Sequence, residues 1–84
     1  MSQQQIIDIV NSALAEEFEL EPGDMNPGAH LYKDLGLDSL DAVDMVIVLE
    51  KTFGYKLRDE KAMQKIQTLG DLYAFIEEKQ KGIE

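Results

Sequence analysis

The stretch from Asp38 to Gly54 constrains the fold more than any other part of this chain. It holds fifteen residues with no helix breaker, between an aspartate suited to capping and a glycine suited to stopping a helix. Wound at about 100° per residue, Ala42, Met45, Val46, Leu49 and Phe53 fall on one face at core-stripe spacing. Leu40, Val43 and Ile47 fall on nearly the opposite face, flanked by Asp44 and Glu50, with Asp41 further round. A chain of 84 residues has one small core, and a helix of this length seldom buries both sides in it. The second stripe is therefore expected to stay partly exposed, as an apolar strip rimmed by charge of the kind that docks partners. The alternative is that neighbouring segments cover Leu40 and Val43.

The rest of the chain supplies partners for the first stripe. Ser2, with Gln5 three residues later, has the spacing of a capping box, and Ile6, Ile7, Val10, Leu14 and Phe18 repeat with helical period, so a helix is expected from Gln3 to about Glu17. A long connection follows, from Glu19 to Asp38, punctuated by Pro22, Gly23, Pro27, Gly28 and Gly36. Its Leu20, Met25, Leu31 and Leu35 predict that it packs on the domain. A short helix is expected over 59–64, and a last one from Thr68, capped with Asp71 and burying Leu69, Leu72, Tyr73 and Ile76. A strand over 55–58 would have no obvious partner. The expected fold is all-α: a four-helix bundle of three longer helices and one short helix, residues 1–84 forming a single domain with a long connection between its first two helices.

Composition narrows the function. There are no cysteines, so disulfides and thiolate metal sites are excluded. The net charge of −9 argues against a nucleic-acid partner. No apolar run reaches the length of a membrane span and no basic signal segment opens the chain, so no membrane partner and a cytoplasmic location are the simplest expectations. The charge is unevenly spread. Residues 1–50 carry eleven acids and one base, whereas Lys51, Lys56, Arg58, Lys61 and Lys65 form a basic island against Asp59 and Glu60.

Ser39, the first residue after the expected cap, stands near unpaired N–H groups and the positive end of a helix dipole, both of which favour an attached phosphate. Serine catalysis would need a base and an oxyanion site. The one histidine, His30, lies in the connection, where a solvated or structural role is expected, and the groups nearest Ser39 are carboxylates. Asp34, Asp38 and Asp41 lack the ladder and closing glutamate of a calcium loop. The serine is better placed to be modified than to react.

The run Asp34-Leu35-Gly36-Leu37-Asp38-Ser39-Leu40-Asp41-Ala42-Val43-Asp44, followed by Leu49-Glu50 and Phe53-Gly54, resembles the attachment site of acyl carrier proteins, and Ile66-Gln67-Thr68-Leu69-Gly70-Asp71 resembles that family's entry into its last helix. The resemblance spans most of the chain, from the first helix through Ile76. It implies a monomeric, non-catalytic carrier on which a phosphopantetheinyl transferase moves 4′-phosphopantetheine from coenzyme A onto Ser39. The arm's thiol would then hold acyl groups as thioesters for fatty-acid, polyketide or related biosynthetic enzymes. It also implies that Leu40, Val43 and Ile47, with Asp38, Asp41, Asp44 and Glu50, meet basic docking patches on acyl-transferring and chain-extending enzymes. Met45, Val46, Leu49 and Ile66 become candidates to line a groove for the acyl chain, between the second helix and the short one. An aminoacyl or peptidyl carrier is the near alternative, less favoured because Leu37-Asp38 replaces the Gly-Gly common before the serine there. A non-carrying interaction module is the distant one. The chain departs from the family pattern in the basic island, in Arg58 where proline is common, and in an apparent extra residue between Ala62 and Ile66. These departures point to a specialised carrier, with a housekeeping carrier that has drifted in sequence as the alternative.

Overall fold

A computed structural model describes residues 2–57 and 64–83. Among them are three α-helices, α1 (Gln3–Phe18), α2 (Ser39–Phe53) and α3 (Leu69–Ile83), with a 3₁₀ turn at Pro22–Asp24 and no strand. The expected short helix over 59–64 lies, all but Gln64, outside the described residues. So does Arg58 at the end of the rejected strand, and Tyr55–Leu57 are not extended into one.

Each helix starts where its side chains can satisfy orphan amides. Ser2 and Gln5 close the expected reciprocal box on α1. The helix runs one residue past expectation, to Phe18, because Glu19 adopts a left-handed conformation at φ 55° and Leu20 N–H closes onto the Ala15 carbonyl at 3.2 Å. At α3, Thr68 and Asp71 form the second expected box. Asp71 also accepts from Gln67 N–H at 3.0 Å. That bond above all, with those of Thr68, holds the Asp71 carboxyl below the usual aspartate range against the opposing effect of burial.

The core lies where the three apolar faces meet. Ile6, Val10 and Leu14 of α1, Met45, Val46 and Leu49 of α2, and Leu69, Leu72, Tyr73 and Ile76 of α3 are all buried. Met25, Ala29, Leu31 and Leu37 of the connection join them, so the long crossover is packed as its apolar residues require. Fully burying each large aliphatic side chain is worth about 1.5–3 kcal/mol. Two tyrosine hydroxyls tie the bundle with polar contacts. Tyr73 donates to Asn11 Oδ1 on α1, and Tyr55 donates to Gln80 Oε1 at 2.8 Å, linking the end of α2 to α3. Burial pushes the Tyr73 hydroxyl above its usual range.

The connection is fixed by backbone pairing that no local pattern announces. His30 and Thr68 form an isolated antiparallel bridge. Around it Leu31 N–H donates to the Gln67 carbonyl (2.9 Å), Leu69 N–H to Ala29 (3.1 Å) and Gly70 N–H to Pro27 (2.9 Å). Gly70 is required there, because a Cβ would stand 2.9 Å from the Pro27 carbonyl oxygen.

Candidate functional site

The start of α2 is built by Asp38 and Asp41. Asp38 Oδ1 accepts from Asp41 N–H at 2.9 Å, and Asp41 Oδ2 accepts from Asp38 N–H at 3.2 Å, a reciprocal box made entirely by aspartates. Ser39, the first helical residue, is thereby left out of the capping. It is exposed, and neither its hydroxyl nor its N–H has a hydrogen-bond partner among the described residues. Leu40 N–H is likewise unpartnered. Two free amides, the positive end of a fifteen-residue helix and an unengaged hydroxyl therefore converge on one exposed position.

The approach to that position is rigidly held. Leu37 is buried, and its N–H donates to the Leu31 carbonyl at 3.0 Å, closing the turn 31–37 onto the bundle. Gly36, at φ 71°, supplies the left-handed residue that lets the chain reverse there. Asp34 accepts from His30 N–H at 2.7 Å, while Asp34 and Leu35 N–H groups donate to the His30 carbonyl. Asp34 therefore organises the turn.

The second stripe of α2 lies open. Leu40 is 74% exposed and Val43 49%, and Ile47 is half-buried. Among the described residues, neither the connection nor any other segment covers Leu40 and Val43. Asp38 and Asp44 beside them are exposed and Asp41 is partly so. Glu50 differs from the other acids, because its Oε2 accepts from Leu57 N–H at 3.0 Å and so also secures the chain after α2. Lys51, Lys56 and Lys65 of the basic island are exposed, whereas Arg58 and Lys61 lie outside the described residues.

Three of the four groove candidates come together. Met45, Val46 and Ile66, with Leu31, Tyr32 and Ala42, line an apolar seam of only about 10 Å³. Leu49 is fully buried in the core and does not line it. A larger concavity of about 660 Å³ between α1 and α2 is lined by Asp8, Glu16, Glu17 and Lys51 around Ile9, Ala13 and Val48. It is open and heavily charged, and the apolar seam is the better match for a hydrocarbon chain.

His30 is the residue whose role the sequence left open between solvation and a structural bond. Its Nδ1 accepts from both Tyr32 and Lys33 N–H groups, each at 3.2 Å. The signal in the sequence is thin: a histidine two residues ahead of a turn can cap it as a serine or aspartate does.

Fold and site together define a small helical module that displays an accessible serine at a capped helix start. A family model described as the phosphopantetheine attachment site matches residues 8–76, and the chain belongs to that family. Its members carry a 4′-phosphopantetheine prosthetic group. The residues present fit such a group. An exposed hydroxyl with no competing bond is open to a phosphodiester, and the two free amides beside it suit the phosphate's charge. Carrier domains of this family are generally not catalytic themselves and work with a phosphopantetheinyl transferase and biosynthetic enzymes. Among the described residues no helix is long and apolar enough to cross a membrane.

Proposed function

We propose that residues 1–84 act as one discrete acyl carrier domain, with Ser39 as the attachment point of the arm. The observation that carries this reading is the freedom of the Ser39 hydroxyl beside the Asp38–Asp41 box, since the two aspartates do the capping that a helix-start serine ordinarily does. When bound, the arm supplies a thiol that holds acyl groups as thioesters, chemistry a cysteine-free chain lacks. The protein's own residues do the rest. Asp38 and Asp41 fix the helix start, and Leu40, Val43 and Ile47 offer an apolar strip to partner enzymes. Asp44, with Asp38, Asp41 and Glu50, supplies negative charge to basic docking patches. Met45, Val46 and Ile66 are the residues that would part to admit an acyl chain, with Leu49 behind them. The polypeptide itself is no enzyme, and it works as a monomer in the cytoplasm.

The basic island supports a narrower form of this reading, a carrier specialised for a dedicated partner set. Exposed Lys51 in the last turn of α2, with exposed Lys56 and Lys65 beyond it, puts positive charge where a general fatty-acid enzyme expects acids. A competition assay with a general ketoacyl synthase tests it, and undiminished turnover would remove the case for specialisation. A Ser39→Ala variant tests the carrier role itself. Acyl transfer in a reconstituted system should vanish while the fold persists. Partner function that survives the change would favour a non-carrying interaction module. Binding to partner enzymes should weaken steeply with added salt, because opposite charges steer the encounter.

A further inference from the structure

The turn that delivers the chain to Ser39 is held by a ring nitrogen that can lose its capacity to hold. His30 Nδ1 accepts from the N–H groups of Tyr32 and Lys33, both at 3.2 Å, a three-centre arrangement on one lone pair. That lone pair exists only while the ring is neutral with its proton on Nε2, because both nitrogens of a protonated imidazole are donors. The rest of the turn hangs on the same residue. The His30 carbonyl accepts from Asp34 and Leu35 N–H groups, its N–H is bound by Asp34, and the turn closes where Leu37 N–H meets the Leu31 carbonyl. Two residues beyond Leu37 stands Ser39.

We propose that neutral His30 is a positioning residue for modification of Ser39, and that protonation of its Nδ1 releases the 32–35 turn and slows loading of the arm. The inference rests on Ser39 being the attachment serine. Charged groups on the turn and on the segments next to it are of both signs. Lys33 and Asp34 sit on its turn, Asp24 lines a concavity with Asp34, and Asp71 and Lys65 belong to the segment bridged to it. The Tyr32 ring lies 5.8 Å away by centroids.

His30→Asn is the discriminating variant, since an amide oxygen occupies nearly the place of Nδ1 and does not titrate near neutrality. On the full apo chain, ¹⁵N spectra should be followed from about pH 8 to about pH 5, across the range in which imidazole titrates. In the wild type, the Tyr32 and Lys33 amides should shift with the ring's own titration and lose hydrogen-exchange protection. In His30→Asn they should stay flat, and in His30→Ala they should be unprotected throughout. Loading from coenzyme A by a broad transferase should then fall at low pH by about fivefold more in wild type than in His30→Asn, the effect of about one net hydrogen bond. Amides that ignore the ring's titration would overturn the proposal, as would equal pH profiles for the two proteins. Amides that respond while neither protein can be loaded at any pH would instead refute Ser39 as the attachment point.

Discussion

The starts of α2 and α3 are built from the same local chemistry and serve opposite ends. Each has a reciprocal capping box, Asp38 with Asp41 and Thr68 with Asp71. The difference lies in the two amides that no box can satisfy. In α3 those of Leu69 and Gly70 are taken by the Ala29 and Pro27 carbonyls, so the helix start is bolted to the connection. In α2 those of Ser39 and Leu40 are left to solvent. A helix N-terminus thus becomes a structural joint when a backbone segment meets it, and a place for an anion when none does. The side chains follow suit: Leu69 is 0% exposed and Leu40 74%.

Leucine truncation gives the largest effect by which this contrast can be broken. Leu69→Ala should cost about 2–5 kcal/mol, since it empties a filled core position. Leu40→Ala should change stability by less than about 0.5 kcal/mol yet weaken binding to a loading or acyl-transferring enzyme. Denaturant midpoints and a binding isotherm for both variants check the pair. Equal destabilisation would mean that the stripe of α2 is covered after all.

Next in size is the close approach at the joint. Gly70→Ala places a Cβ against the Pro27 carbonyl and should cost about 1–3 kcal/mol, which for a domain of this size lowers Tm by about 4–8 °C per kcal/mol. Gly82→Ala in the same helix meets nothing within 4 Å and should be neutral or stabilising by up to about 1 kcal/mol. Calorimetry on the two variants separates a packing requirement from helix propensity.

The smallest effect is electrostatic. The amide bonds that lower the Asp71 pKa favour its charged form in the folded state. The resulting stabilisation is complete above the unfolded value of about 3.9 and is lost as pH falls through the lower folded value. Urea midpoints of wild type and Asp71→Asn should therefore converge below about pH 4 and stay apart at neutral pH. A constant gap across the acid range would mean that the charge on Asp71 does not matter.

Much of this was legible in the sequence, for reasons of range. Boxes at Ser2 and Thr68, the Asp38 cap, the Gly54 stop and the two stripes of α2 depend on residues three to eleven positions apart, and the structure has them all. The family resemblance rested on the same local runs. What escaped notice depends on distant partners. The bridge between His30 and Thr68 joins segments that share no pattern, and the need for glycine at 70 arises only from Pro27. Glu50 reads as one more acid beside the stripe until Leu57 N–H is found on its carboxylate. At Ser39 the sequence supplied the position and an unobstructed hydroxyl, whereas the bond from Asp38 N–H to Asp41 that completes the cap is seen only in the structure.

Peptide mapping by mass after incubation with coenzyme A and a broad-specificity phosphopantetheinyl transferase bears most directly on the contrast between the two helix starts. Ser2, Ser12 and Ser39 are the chain's three serines, and a single phosphopantetheine mass should appear on the peptide holding Ser39 and disappear in Ser39→Ala. An unshifted chain, or the added mass on Ser2 or Ser12, would contradict it.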